Sequence, residues 1–208
     1  MTENIEVFTQ NSIRITYGSK KIYVDTFNMN EEFHDADVIF VTHDHYDHFS
    51  PDDIAKVSCE KTILVVPEKM EKKAREASSL VSKIITVKVN DSAEVSGLAF
   101  ETVPAYNIMK PFHPKSAGCV GYIFSMDGKR IYVAGDTDAT AEAGEVKCDI
   151  ALIPIGGTYT MDAKKGAELI NKIKPETAIP THYKKSSDAD EFVSLVDPSI
   201  KVNIIKQY

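Results

Sequence analysis

Six consecutive residues near the N-terminus carry most of the chemistry in this 208-residue sequence. The segment His43-Asp44-His45-Tyr46-Asp47-His48 holds three of the six histidines in the chain. It follows an apolar, β-branched run at residues 37–41, which predicts a buried strand, and it precedes Ser50-Pro51, which predicts a helix start. Imidazoles and carboxylates crowded at the end of a buried strand need compensation, and a divalent metal ion provides it. This combination of ligands suits zinc, manganese or iron.

The spacing within this segment predicts how its ligands divide. Residues two apart on a tight loop can point the same way, so His43 and His45 can hold one ion while Asp47 and His48 turn to a second. Four ligands on one loop do not complete two metal sites, so other parts of the chain must contribute. Polar residues that follow predicted strands are the candidates, because α/β folds place their sites there: His113, Asp136 and His182. His34 lies in a polar stretch and is expected to be exposed.

Three motifs together resemble the metallo-β-lactamase superfamily. They are His43-x-His45-x-Asp47-His48, Gly135-Asp136-Thr137-Asp138 and Pro180-Thr181-His182-Tyr183. Residues 154–162 resemble the branch that includes L-ascorbate-6-phosphate lactonase and many metal-dependent hydrolases. The resemblance spans residues 13–196 and implies an α/β (α+β) fold, a four-layer αββα sandwich with the metal site at the strand ends between the two halves. We expect a single domain over residues 1–208.

The same resemblance implies a role for each ligand. It assigns His43 and His45 to metal one, and it gives metal two these ligands: Asp47, His48 and His182. It also implies that Asp136 bridges the two ions. The resemblance therefore implies two divalent ions, most readily Zn²⁺, with Mn²⁺ or Fe²⁺ as alternatives.

One segment departs from the pattern of the family. Many members supply a third histidine to metal one close behind a Pro-Ala pair, but here the segment reads Pro104-Ala105-Tyr106-Asn107. Two alternatives stay open. Either the loop folds back so that His113 completes metal one, which we favour, or metal one lacks a nitrogen ligand and Asn107 stands at that place.

Two metal ions close together predict hydrolytic chemistry. A water molecule shared between them has a lowered pKa and becomes a nucleophile. Asp47 can orient this nucleophile, so Asp47 and Asp136 are the predicted catalytic carboxylates. Histidine ligands usually donate their far N–H to a carboxylate or carbonyl, and Asp25 and Asp138 are candidates for that contact.

Other polar residues near these motifs have two interpretations each. Tyr106, Asn107 and Tyr159 could stabilise a developing oxyanion, although tyrosines at strand ends more often pack against the core. Lys110 and Lys115 flank His113 and could attract an anionic substrate, although loop lysines are more often simply exposed.

The amino-acid composition limits the classes of binding partner and the cellular location that we expect. The formal net charge of −7 argues against broad nucleic-acid binding, which needs a basic surface. The sequence has no apolar run long enough to span a membrane, and its first residues do not resemble a signal peptide, so we expect a cytoplasmic protein without membrane attachment. Its three cysteines are widely spread and are expected to be reduced thiols. The sequence does not indicate the oligomeric state.

The remaining patterns predict strands that precede helices in each half, with sheets packed on sheets and helices outside. Helices are expected over residues 51 onward, over 68–77, over 161–173 with Thr160 as the cap, and through residue 196 with Ser187 or Asp188 as the cap. Strands are expected at 13–16, 21–26, 38–41, 62–66, 83–88, 98–103, 120–125, 130–134, 149–154, 177–181 and 201–205.

The favoured function is hydrolysis of a small ester, lactone or phosphodiester substrate by metal-activated water. The alternative is a metal-binding protein of the same fold without hydrolytic activity. A diiron flavoprotein is disfavoured, because that pattern has Glu where this chain has His45.

Overall fold

Residues 2–205 are described by the structure, a computed structural model. Residue 1 and residues 206–208, the ends of the predicted domain 1–208, lie outside the described residues. The described chain divides into two units, residues 2–88 and residues 89–205, and each contains one β-sheet. The prediction of a single domain stays a prediction.

The N-terminal unit has a six-stranded sheet in the order β1-β2-β3-β4-β5-β6. The first three strands are antiparallel neighbours, and β3 to β6 run parallel. The strands are β1 Ile5–Val7, β2 Ile13–Tyr17, β3 Lys20–Val24, β4 Val38–Phe40, β5 Ile63–Pro67 and β6 Lys83–Val87. The α-helices are α1 Pro51–Val57 and α2 Glu71–Ala74.

The core of this unit follows the two-residue period of its strands. Alternate residues of β4 and β5, such as Ile39 and Leu64, pack with Ile54 and Val57 of α1. Helix α1 begins as predicted, because the Ser50 hydroxyl accepts the backbone N–H of Asp53 at 3.3 Å. The loop that follows β4 is therefore held at its far end by the capped start of α1.

The helix predicted at 68–77 is broken into three short pieces. Short 3₁₀ helices at Glu68–Met70 and Arg75–Ala77 flank the single α-helical turn of α2. None of these pieces has a side-chain N-cap hydrogen bond. A helix whose first N–H groups are not capped gains little from a continuous α-helical ladder, which explains the difference.

The C-terminal unit has a seven-stranded sheet in the order β13-β12-β11-β10-β9-β8-β7. Strands β7 to β10 are antiparallel neighbours, and β10 to β13 run parallel. The strands are β7 Ser92–Val95, β8 Leu98–Pro104, β9 Val120–Met126, β10 Lys129–Val133, β11 Ile150–Pro154, β12 Thr177–Thr181 and β13 Lys201–Val202. The helices are α3 Ala163–Ile173 and α4 Ser186–Leu195.

The strand directions bring four strand ends to one edge of this sheet. Strand β8 is antiparallel to β9, which is antiparallel to β10, so β8 runs in the same direction as β10, β11 and β12. The segments that follow these four strands therefore leave the sheet at the same edge.

Helix α3 begins later than the sequence prediction. The carboxylate of Asp162 accepts the N–H of Lys165 at 2.8 Å and caps the helix. The predicted cap, Thr160, instead donates its hydroxyl to the carbonyl of Met161 at 3.3 Å. Residues Ala167 and Ile170 of α3 pack with Phe192 of α4 in the core of the unit.

Two strands were not predicted, and one was too long. Strands β1 and β7 are short edge strands with mixed composition, and β13 ends at Val202 instead of residue 205. All other predicted strands are present within about two residues of their expected ends. No helix within residues 2–205 is both long and apolar enough to cross a membrane.

Tyr132 provides a test of the packing of the C-terminal core. Its ring is fully buried, and its hydroxyl has no hydrogen-bond partner among residues 2–205. A buried hydroxyl without a partner is destabilising, so we expect Tyr132→Phe to raise the free energy of unfolding by about 1 kcal/mol in urea denaturation.

Tyr23→Phe is the matched control in the N-terminal unit. Tyr23 is equally buried, but its hydroxyl donates to Asp35 Oδ1 at 2.7 Å and accepts from Arg14 Nη1 at 3.3 Å. This variant should lower the free energy of unfolding by roughly 1–3 kcal/mol. Equal losses in both variants would contradict the assignment for Tyr132.

Candidate metal centre

Four predicted ligands form the N-terminal ligand set, which is defined by His43, His45, Asp47 and His48 on the loop between β4 and α1. His43 and His48 are buried, whereas His45 and Asp47 are partly exposed. The loop is tightly wound, because the N–H groups of His48 and Phe49 both donate to the carbonyl of His45. The ring of His43 lies 4.5 Å from that of His45 and 4.0 Å from that of His48, measured between centroids.

Asp25 holds His48 in place. Its Oδ2 lies 2.7 Å from His48 Nδ1, and its carboxylate also accepts the N–H and the hydroxyl of Thr42 and the side-chain amide of Asn11, each at 2.7 Å. A carboxylate that accepts three other hydrogen bonds must also accept from the ring, so His48 carries its proton on Nδ1. The Nε2 lone pair then faces Asp47, whose Oδ2 is 3.9 Å away. The predicted contact of Asp25 with a ligand histidine is present.

The C-terminal ligand set consists of His113, Asp136 and His182. Asp136 follows β10, His182 follows β12 directly, and His113 lies on the loop after β8, so all three leave the sheet at the same edge. All three side chains are buried. Asp136 Oδ1 is 3.4 Å from His182 Nε2, and Asp136 Oδ2 is 3.7 Å from His113 Nε2.

This geometry suits a metal ion better than it suits direct ion pairs. Two ligands that each lie about 2.1 Å from a tetrahedral ion are separated by about 3.4 Å, whereas N–H···O hydrogen bonds are usually shorter than about 3.2 Å. The two oxygens of Asp136 also face two different histidines. His113, Asp136 and His182 therefore fit a divalent ion better than they fit direct ion pairs.

The loop after β8 folds back, as the favoured alternative required. Its closure is shown by the N–H of Asn107, which donates to the carbonyl of His113 at 2.8 Å. The ring of His113 faces Asp136, whereas the side chain of Asn107 contacts His113 Nδ1. The structure thus places His113, and not Asn107, beside the carboxylate.

Asp138 has a different role from the one expected. It contacts no ligand histidine; its carboxylate accepts the N–H of Ile108 at 2.9 Å and Lys110 Nζ at 3.0 Å. Lys110 also donates to the carbonyl of Thr160. Asp138 therefore holds the loop that carries His113 in place, and the Lys110 ammonium group is bound by Asp138 and Thr160.

Lys115 and Tyr106 meet at Glu142. Lys115 pairs with Glu142, whose pKa this contact lowers to about 2, and the hydroxyl of Tyr106 donates to Glu142 at 2.8 Å. The hydrogen bond to Glu142 also raises the pKa of Tyr106. The Tyr106 hydroxyl is therefore engaged by Glu142, and the charge of Lys115 is balanced by the same carboxylate.

His34 and Tyr159 lie outside the two ligand sets. The side chain of His34 is 54% exposed and contacts Ser58 and Glu32, as expected for a surface histidine. Tyr159 is 49% exposed and packs edge to face on Phe112 at 4.6 Å between ring centroids.

Two site residues have left-handed backbone conformations although neither is glycine. Asp25 has φ +50° and His182 has φ +53°. Such conformations are rare for residues with a Cβ atom and are found where the surrounding contacts enforce them.

A family model described as a beta-lactamase superfamily domain matches residues 4–182. The chain belongs to the β-lactamase superfamily. A UPF0173 metal-dependent hydrolase of Pyrococcus abyssi is 34% identical over 210 aligned positions, which cover 91% of this chain and 90% of the relative. The superfamily assignment thus rests on nearly the whole chain.

Solved structures agree with this assignment. A protein of Parabacteroides distasonis described as a metal-dependent hydrolase superposes with a TM-score of 0.84 and 29% identity, covering 98% of this superfamily member and 93% of that chain. A diiron β-hydroxylase of Streptomyces venezuelae matches with a TM-score of 0.72 but only 10% identity, over 98% of this chain and 52% of its own, and therefore shares the fold alone. The predicted fold class, α/β with two sheets of the metallo-β-lactamase type, is confirmed.

Gly156 tests how closely His182 is positioned. Gly156 follows β11, and a Cβ atom built on it would lie 2.3 Å from the carbonyl oxygen of His182. The contact is with backbone, so Gly156→Ala must shift the segment that carries His182. We expect the affinity for Zn²⁺ to fall by at least about tenfold in a chelator-competition titration.

Gly128→Ala is the control in the same unit. Gly128 has φ +73° in the turn between β9 and β10, and a Cβ atom there meets nothing within 4 Å. This change strains the backbone by about 1–2 kcal/mol without touching the ligand set. If both variants lose metal affinity equally, a general loss of stability explains the effect and the specific role of Gly156 is wrong.

Proposed function

We propose that this metal-dependent hydrolase binds two divalent ions, most readily zinc, and hydrolyses a small ester, lactone or phosphodiester. The observation that carries the proposal is the placement of Asp136, whose two oxygens face His113 and His182 at 3.7 and 3.4 Å. A carboxylate can join two cations, whereas an imidazole that binds through one nitrogen cannot.

The proposed ligands come from both sets. His43, His45 and His113 would hold the first ion, and the second would be held by Asp47, His48 and His182. Asp136 would contribute to both ions. Each set alone is too small to complete two sites of about four ligands each, which supports the combined use of the two sets.

Bound divalent ions activate water for attack and polarise the electrophilic centre of a substrate. The protein residues supply orientation. Asp25 holds His48 through a 2.7 Å hydrogen bond, and the partly exposed carboxylate of Asp47 would orient the attacking water. The buried positions of His113 and Asp136 limit access of bulk water to the donor atoms.

Residues 154–162, which resemble the lactonase branch, support a small ester or lactone as the substrate. Within this segment Met161 donates its N–H to the carbonyl of Thr137, next to Asp136, at 3.2 Å. Its residue Tyr159 pairs with Phe112, which precedes His113. We propose that this exposed aromatic pair packs against the flat acyl group or ring of the substrate. Anionic character of the substrate stays a prediction.

Metal content is the first test. We expect the protein purified without chelators to contain, or take up, two zinc, manganese or iron ions per chain, measured by elemental analysis. His113→Ala should reduce the ratio toward one, because metal one loses a nitrogen ligand, and His182→Ala should weaken the other ion.

His34→Ala is the matched control, because it also removes a histidine but from an exposed position. It should leave the metal ratio unchanged. No uptake by the parent protein would refute the metal centre, and full occupancy in His113→Ala would show that His113 is not a ligand. A metal-loaded protein that is inactive on aryl esters, lactones and phosphodiesters would favour a binding protein instead of a hydrolase.

Asp136→Asn tests the bridge. The change keeps the size of the side chain but removes the negative charge that two cations would share. We expect the turnover of an active substrate to fall on the order of a thousand-fold, about 4 kcal/mol of barrier, because both a metal contact and the position of the water are lost. Turnover within threefold of the parent would contradict the two-ion mechanism.

A further inference from the structure

Asn107 joins the loop of His113 to a second segment of the C-terminal unit. It is 5% exposed and lies just after β8. Its side-chain Nδ2 donates to the carbonyl of Tyr159 at 2.9 Å, and its Oδ1 lies 2.9 Å from His113 Nδ1. Both ends of the buried amide are therefore engaged.

The carbonyl of Tyr159 decides the orientation of this amide. A carbonyl oxygen only accepts hydrogen bonds, so it must face the NH₂ group of Asn107. The amide oxygen of Asn107 consequently faces His113, and this oxygen is also only an acceptor. His113 must then donate from Nδ1, which leaves the lone pair of its neutral ring on Nε2. That atom faces Asp136 Oδ2 at 3.7 Å.

We propose that Asn107 is a positioning residue that selects the Nδ1–H tautomer of His113 and thereby presents Nε2 as a metal ligand. The proposal rests on the proposed metal centre. Without an acceptor at Nδ1, either ring nitrogen can carry the proton, and the fraction of rings with a lone pair on Nε2 falls. The ring also loses the contact that fixes its orientation.

The arrangement parallels that of His48 with one chemical difference. Asp25 gives His48 an anionic acceptor, whereas Asn107 gives His113 a neutral one. A carboxylate at position 107 would still accept from His113 Nδ1, but it would face the carbonyl of Tyr159 without a proton to donate. The two contacts together therefore require an amide, which donates to the Tyr159 carbonyl and accepts from His113.

Three variants separate the effect on the His113 tautomer from the effect of a hydrogen-bonded link between the two segments. Asn107→Leu removes both contacts at similar volume, and Asn107→Asp keeps the acceptor for His113 but loses the donor for Tyr159. Asn171→Leu is the control, because Asn171 also bridges two segments of this unit: its Nδ2 donates to the carbonyl of Leu195 at 2.9 Å, and its Oδ1 accepts from Asp197 N at 2.7 Å.

The first measurement is Zn²⁺ affinity by chelator competition. Asn107→Leu should bind the first ion, the one that His113 would hold, on the order of 10–100-fold less tightly than the parent. Asn107→Asp should recover most of this loss, and Asn171→Leu should bind as the parent does. Equal weakening in Asn107→Leu and Asn107→Asp would show that only the link to Tyr159 matters and would overturn the proposal.

The second measurement needs no metal. Long-range ¹H–¹⁵N NMR of the metal-free protein with labelled histidine, recorded at a pH at which the ¹⁵N shifts show a neutral ring, reports which nitrogen of His113 carries the proton. The parent and Asn107→Asp should show Nδ1–H, and Asn107→Leu should show both tautomers. An unchanged tautomer in Asn107→Leu would overturn the proposal. A parent protein that binds no Zn²⁺ would refute the metal centre, while this measurement would still decide the role of Asn107.

Discussion

A buried imidazole must have a partner for the nitrogen that does not face the metal, and much of the site follows from this constraint. His48 meets it with the carboxylate of Asp25, and His113 meets it with the amide of Asn107. Each partner needs its own hydrogen bonds, which come from Asn11 and Thr42 for Asp25. The need for hydrogen-bond partners therefore extends from the predicted ligands to the strands and loops that support them.

The sheet of the C-terminal unit explains why residues far apart in sequence can share one site. Three donors separated by up to about seventy residues leave the same sheet edge because β8, β10 and β12 run in one direction. Asp138 and Lys110 then shape the long loop after β8 so that its histidine returns to that edge. Strand direction gives the approximate position of each donor, and loop contacts give the final one.

Local patterns are enough to predict the cluster of histidine and aspartate side chains after β4, most strand ends and the capped start of α1, because each depends on neighbouring residues. The sequence leaves two alternatives for His113, since its role depends on how a loop of several residues folds back onto Asp136. For Asn107 the sequence suggests only a ligand or an oxyanion donor. Its bond to Tyr159 joins positions fifty-two residues apart, and no local pattern reports such a contact. The sequence prediction of the α3 cap is wrong because Thr160 and Asp162 are both good capping residues, and only the fold shows that the Asp162 carboxylate caps the helix while the Thr160 hydroxyl is engaged elsewhere.

The left-handed backbones of Asp25 and His182 link the site to folding. Each conformation costs on the order of 1–2 kcal/mol for a residue with a Cβ atom. His182 belongs to the C-terminal ligand set, and Asp25 supports His48 of the N-terminal ligand set. A bound ion that prefers the folded chain offsets this strain by mass action. The supply of this metal in the cell would then govern how much of the protein survives proteolysis, so that metal starvation would lower its abundance as well as its activity.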